Sequence, residues 1–93
     1  MRVSWDEKKN ELLKADARRG NIGFEEISTL FTLPYYEAQR NDDPLQFLTI
    51  GWVQGTLYSL VFEIREDDEG TYYHFVTFGP ATKYERTLYE KES

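Results

Sequence analysis

The sequence predicts an α+β domain: a small antiparallel sheet of three or four strands packed against two N-terminal helices and one C-terminal helix. Three observations predict it. Apolar residues at helical spacing are confined to the two ends of the chain, alternation of period two fills the stretch 47–78, and the breaks between strands are short. Short breaks suit an antiparallel meander, one face of which is covered by helices while the other stays partly wet.

The first helix is expected from about Trp5 to Arg18. Ser4 and Glu7 have the spacing of a capping box, Leu12 and Leu13 supply an apolar stripe, and Arg18, Arg19 and Gly20 suit a C-terminus. A short second helix follows from Phe24, Ile27, Leu30 and Phe31, with Glu25 and Glu26 in its first turn and Pro34 as its stop. Tyr35 to Gln39 suits an edge strand and 41–44 a turn. Phe47–Val53 reads as a strand that reverses at Gln54-Gly55. Thr56–Arg65 is the clearest strand, with Tyr58, Leu60, Phe62 and Ile64 on one face. After a charged loop at Glu66–Gly70, Tyr72–Phe78 forms the last strand, and Gly79-Pro80 breaks it. Thr82 and Glu85 make a second capping box for a helix to about Lys91, with Tyr84 and Leu88 as its inner side. The expected core is Trp5, Leu12, Phe24, Ile27, Phe31, Ile50, Leu60, Phe62, Val76 and Leu88.

The 93 residues suffice for one domain, 1–93, and not for two. With 40% apolar and 16% aromatic residues the chain can fill a core. It lacks cysteine, which removes disulfides and thiolate metal sites, and its single histidine makes any metal centre or cofactor unexpected. Met1 is followed by no apolar secretory segment, and no apolar run reaches the length of a membrane span, so a cytoplasmic location without membrane contact is expected. The net charge of −6 is the wrong sign for a general nucleic-acid binder, so any role on RNA must rest on particular side chains.

Four such side chains stand out: Arg65, His74, Lys83 and Arg86. A hairpin centred near Asp68 brings Arg65 close to Tyr73 or His74, and the helix after Gly79 carries Lys83 and Arg86. An arginine suits a scissile phosphate, and a histidine transfers protons near neutral pH. The plainer reading makes His74 a packed strand residue and Arg65 a partner of Glu63 or Glu66.

A series of short matches in order resembles the BrnT family of toxins, small ribonucleases with a RelE-like fold. Trp5-Asp6-Glu7 with Lys9 is similar to the family's opening motif, and Phe24-Glu25-Glu26 with Leu30-Phe31 to its second helix. Ile50-Gly51, then Leu60-Val61-Phe62 with Arg65, resemble its core strands. Ala81-Thr82, Glu85-Arg86 and Tyr89-Glu90 resemble its closing helix. The resemblance implies a type II toxin that cleaves RNA without a metal, neutralised by a small ribbon-helix-helix antitoxin in a dimer-based complex, with a homodimer of this chain as a further expectation. Arg65 matches the family's strand-end arginine, and His74 falls where the family carries a basic residue. Gly79 stands where the family has an arginine, and Arg18-Arg19-Gly20 where it has Lys-His-Gly. These departures point to the alternative, an inactive interaction module that binds a small partner protein.

Overall fold

The computed structural model describes residues 2–92. Five strands form one mixed sheet in the order β1-β5-β4-β3-β2: β1 is Val3–Ser4, β2 Tyr36–Asp42, β3 Leu45–Val53, β4 Thr56–Asp67 and β5 Gly70–Pro80. The last four make an antiparallel meander, as the alternation predicts. The strand absent from the expectation is β1, two residues that pair in parallel with Tyr73 and His74. Gln54 and Gly55 both take positive φ, 51° and 80°, the conformation that a two-residue reversal between twisted strands demands.

Pairing of β1 changes the first helix. Ser4 is drawn into the sheet, so the cap falls to Asp6, whose carboxylate accepts from the Lys8 and Lys9 amides at 2.9 and 3.1 Å. The helix α1 is accordingly Glu7–Lys14, shorter at both ends than the apolar pattern implies. Asp16 caps a separate 3-10 turn, Ala17–Arg19, which closes on Gly20 at φ 84°. The second helix, α2, is Phe24–Ile27 and continues as a 3-10 segment over Ser28–Thr32. The third, α3, is Lys83–Glu92, and its box is reciprocal: Glu85 accepts the Thr82 amide at 2.8 Å, and Thr82 Oγ1 accepts the Glu85 amide at 3.1 Å. No helix among the described residues is long and apolar enough to cross a membrane.

The two sheet faces are covered differently. The N-terminal helical segments bring Leu13, Phe24, Ile27 and Leu30 onto Tyr58, Leu60, Phe62, Phe75 and Phe78, and this is the main core. Within it Phe62 stacks on Tyr73 with ring centroids 4.4 Å apart. Against the second face lies α3, where Tyr89 meets Trp52 edge-on at 6.3 Å and donates its hydroxyl to the Pro34 carbonyl at 3.1 Å.

Three core expectations are corrected. Leu12 is 68% exposed, because α1 turns Leu13 inward. A bulge between Val61/Phe62 of β4 and Thr77/Phe75 of β5 leaves Val76 opposite no residue. The extra residue shifts the alternation, so Phe75 rather than Val76 enters the core and Val76 is half-buried. Tyr84 is 71% exposed, since the half-buried side of α3 is Glu85, Leu88 and Tyr89. Phe24, Ile27, Ile50, Leu60 and Phe62 are fully buried as expected, while Trp5, Phe31 and Leu88 are half-buried.

Candidate functional site

A row of polar side chains runs across the second face of the sheet. Ladder pairing sets Gln46 of β3 against Glu63 of β4, Glu63 against His74 of β5, and His74 against Ser4 of β1. Residues opposite one another on adjacent strands have Cβ atoms about 5 Å apart, so four strands deliver one continuous line. Hydrogen bonds join its ends. Gln46 Nε2 donates to Glu63 Oε2 at 3.2 Å, and Ser4 Oγ lies 2.9 Å from His74 Nδ1. The next row of the ladder pairs Arg65 with Tyr72.

Arg65 bridges the two rows. Its Nε and Nη2 donate to Glu63 Oε1 at 3.0 and 2.7 Å. The Glu63 side chain is deeply set, 13% exposed, whereas the Arg65 side chain remains 46% exposed. These hydrogen bonds hold the Glu63 carboxyl below the usual carboxylate range and raise Arg65. At the outer end Arg2 grips the Asp67 carboxylate with both terminal nitrogens, at 2.7 and 3.0 Å, and lies 5.1 Å from the centre of the Tyr72 ring. The second row is thus fixed from both sides.

His74 is half-buried, and burial is the main reason that its pKa lies below the ordinary 6.5. The Arg65 charge and, more weakly, Lys9 push the same way, while Glu63 and Asp6 oppose them. At neutral pH the ring is therefore uncharged and able to accept a proton. A neutral imidazole, a carboxylate paired with a guanidinium, and a phenol thus share one sheet face.

The four sequence-predicted residues do not form one cluster. Arg65 and His74 come together, one ladder step apart, with Glu63 rather than Arg65 directly opposite His74. Arg86 lies at the other end of the sheet, its guanidinium 5.9 Å from the centre of the Trp52 ring. Trp52 is the partner of Leu57, eight residues along β4 from Arg65, a span of about 26 Å at the usual strand rise. Lys83 opens the same helix as Arg86. Lys83 and Arg86 are thus placed away from Arg65 and His74, because α3 packs over β3 and β2.

Sequence reading named Glu63 only as a partner of Arg65, and that pair forms; it missed Glu63 as the residue opposite His74, although a hairpin centred between Asp68 and Glu69 does set residue 63 against 74. It also missed Ser4 and Arg2, which reach the site only through the parallel pairing of β1. Arg19 belongs to the packing of the 3-10 turn onto β5 and not to the row. Its Nε donates to the Phe78 carbonyl at 2.9 Å and stands 3.9 Å from where a Cβ on Gly79 would be, while Nη1 is bound to Asp16. A second feature of this face is a groove of about 330 Å³ between the sheet and the start of α3, lined by Ala38, Arg40, Leu48, Ser59, Val61 and Tyr84 among others. Among the described residues no group of three or more histidine or carboxylate side chains is placed to hold a metal ion. Comparison with protein-family models and with curated proteins finds no match to this chain.

Proposed function

We propose that this protein is a BrnT-like toxin that cleaves RNA by metal-independent acid–base chemistry at Glu63, Arg65, Tyr72 and His74. The observation that carries this reading is the shared sheet face: a neutral half-buried histidine directly opposite a carboxylate that holds an exposed arginine. In the proposed step, His74 accepts the proton of a ribose 2′-hydroxyl. The freed oxygen attacks the neighbouring phosphorus, and the bond to the 5′-oxygen breaks as that oxygen takes the proton back from the imidazolium. The products are a 2′,3′-cyclic phosphate and a 5′-hydroxyl, and no proton is gained or lost overall. Arg65 balances the charge that develops on the phosphate oxygens. Glu63 stabilises the transient imidazolium. The resemblance adds a cytoplasmic setting, a ribbon-helix-helix antitoxin as partner and a dimeric assembly.

The test is incubation of the purified chain with a single-stranded RNA in excess chelator. Fragments ending in cyclic phosphate, absent with Arg65→Ala and His74→Ala, are expected. Intact RNA, or equal cleavage by both variants, would overturn the reading.

A second reading is favoured by the groove beside α3, where Tyr84 is 71% exposed and the floor is apolar. In it the chain is an inactive module that binds a small partner protein, consistent with its net charge of −6. Intact RNA together with stoichiometric co-purification of a small protein encoded beside it, lost in Tyr84→Ala, would select this reading.

A further inference from the structure

Ser4 is the one residue of the polar row contributed by β1, and its hydroxyl oxygen lies 2.9 Å from His74 Nδ1. Strand pairing sets the position of Ser4 closely: the Tyr73 amide donates to the Arg2 carbonyl at 3.0 Å, and the Arg2 side chain is clamped to Asp67 and to the Gly70 carbonyl. The hydroxyl is thus presented by anchored backbone rather than by a loose terminus.

Resting on the ribonuclease reading above, we propose that Ser4 is a positioning residue for His74. Its oxygen accepts the Nδ1–H, fixing that tautomer and leaving Nε2 as the nitrogen with the lone pair. A serine hydroxyl is able to donate or accept, so the charges around the ring decide the direction. The contact with Ser4 turns Nδ1 toward β1 and leaves Nε2 as the other ring nitrogen. The charged groups acting on the ring are Glu63 and Arg65 from β4 and Asp6 and Lys9 from the start of α1. Glu63 is occupied by Arg65 and Gln46 and has little demand for another donor. The positive charge of Arg65 disfavours a second proton on the ring, so with Nδ1–H held by Ser4 the lone pair is left on Nε2. That lone pair is what the first proton transfer requires. The serine that the local sequence offers as a helix cap is used instead to orient the base.

The experiment is a long-range 15N–1H spectrum of the full chain at a pH where His74 is neutral, recorded for wild type, Ser4→Ala and Ser4→Thr, alongside RNA cleavage. The expected wild-type spectrum is that of a single Nδ1–H tautomer. Ser4→Ala should give a tautomer mixture with backbone shifts otherwise unchanged away from β1. It should lower kcat by about tenfold and leave KM unmoved, and Ser4→Thr should restore both tautomer and rate. An Nε2–H tautomer in the wild type, or an unchanged His74 spectrum in Ser4→Ala, would overturn the proposal. Intact RNA beside an Nδ1–H tautomer that depends on Ser4 would support the positioning of His74 and overturn only the ribonuclease reading, so the two fail separately.

Discussion

Glu63 and His74 stand directly opposite each other on β4 and β5, and the guanidinium of Arg65 is bound to the carboxylate of that pair. The two neighbours therefore act on His74 with opposite signs. Glu63→Gln removes the negative charge and should move the His74 titration further below its ordinary position. Arg65→Met removes the positive charge and should move it back up. A chemical-shift titration of the single histidine reads both directly. No shift in either variant would show that burial alone governs the ring.

Asn10 has the same kind of internal role in the fold that Glu63 has in the site. It is fully buried, accepts the Phe24 amide at 2.8 Å and donates to Glu25 Oε1 at 3.0 Å. It thereby ties α1 to the first turn of α2, where an amide has no partner within the helix. Asn10→Ala strands that buried amide and should cost about 1–3 kcal/mol. Urea unfolding measures the loss, and an unchanged midpoint would show that water replaces the side chain.

Gly51 is required by close approach. A Cβ there would lie 2.9 Å from Leu30 Cγ and 3.3 Å from Tyr35 Cβ. Leu30 is itself fully buried and has no room to retreat. Gly51→Ala should therefore destabilise the chain by about 1–3 kcal/mol, the usual range for overpacking. Combining it with Leu30→Ala should recover part of the loss, which a double-mutant cycle would detect as coupling.

Local signals in this sequence are legible and long-range ones are not. The Thr82–Glu85 box forms as read because each partner lies within one turn of the other. The Ser4–Glu7 box has the same spacing and does not form, because Ser4 is claimed by a residue seventy positions away. The meander and the face of β4 follow from alternation, but alternation cannot register an inserted residue, so the bulge at Val76 exchanges it with Phe75. The site divides in the same way. Arg65 and His74 are neighbours because a tight hairpin sets their register, whereas the position of α3, and with it Lys83 and Arg86, depends on which face the chain crosses to after Pro80. Nothing within that helix specifies the face.

Acid should weaken the fold through groups that can be named. Asp16, Glu25, Glu63 and Asp67 all titrate below their ordinary values, chiefly through hydrogen bonds to their charged forms, and His74 titrates below 6.5 through burial. In each case the unfolded chain binds the proton more readily than the folded one. The stability contributed is complete above the unfolded pKa and declines as pH falls toward the folded value. The urea midpoint should therefore decrease from below pH 6.5 as His74 begins to count, and more steeply below about 4.5 as the carboxylates follow. Several of these pairs are solvent-screened, so the carboxylate limb should shrink at high salt. His74→Asn should flatten the upper limb and leave the carboxylate limb. A midpoint that rises on acidification would contradict the sign.

The separation of α3 from the polar row makes the cellular test of function selective. Arg65 and His74 share one end of the second sheet face, while Arg86 lies on Trp52 about 26 Å away by strand length. If RNA is cleaved at the polar row, induced expression of the wild type should arrest growth and deplete RNA. Arg65→Ala and His74→Ala should relieve the arrest at equal protein level. Lys83→Ala and Arg86→Ala should preserve it, because neither cation reaches the reacting phosphate. The net charge of −6 opposes RNA at long range, so cleavage by the purified chain should increase as salt screens that repulsion, until screening also weakens the contact to Arg65. Arrest that depends on Arg86 but not on Arg65 would move the active region to the α3 end of the face. A harmless wild type would leave the partner-binding reading, in which Tyr84 and the groove beside it carry the function and the Glu63–Arg65 pair is an ion pair within β4 and nothing more.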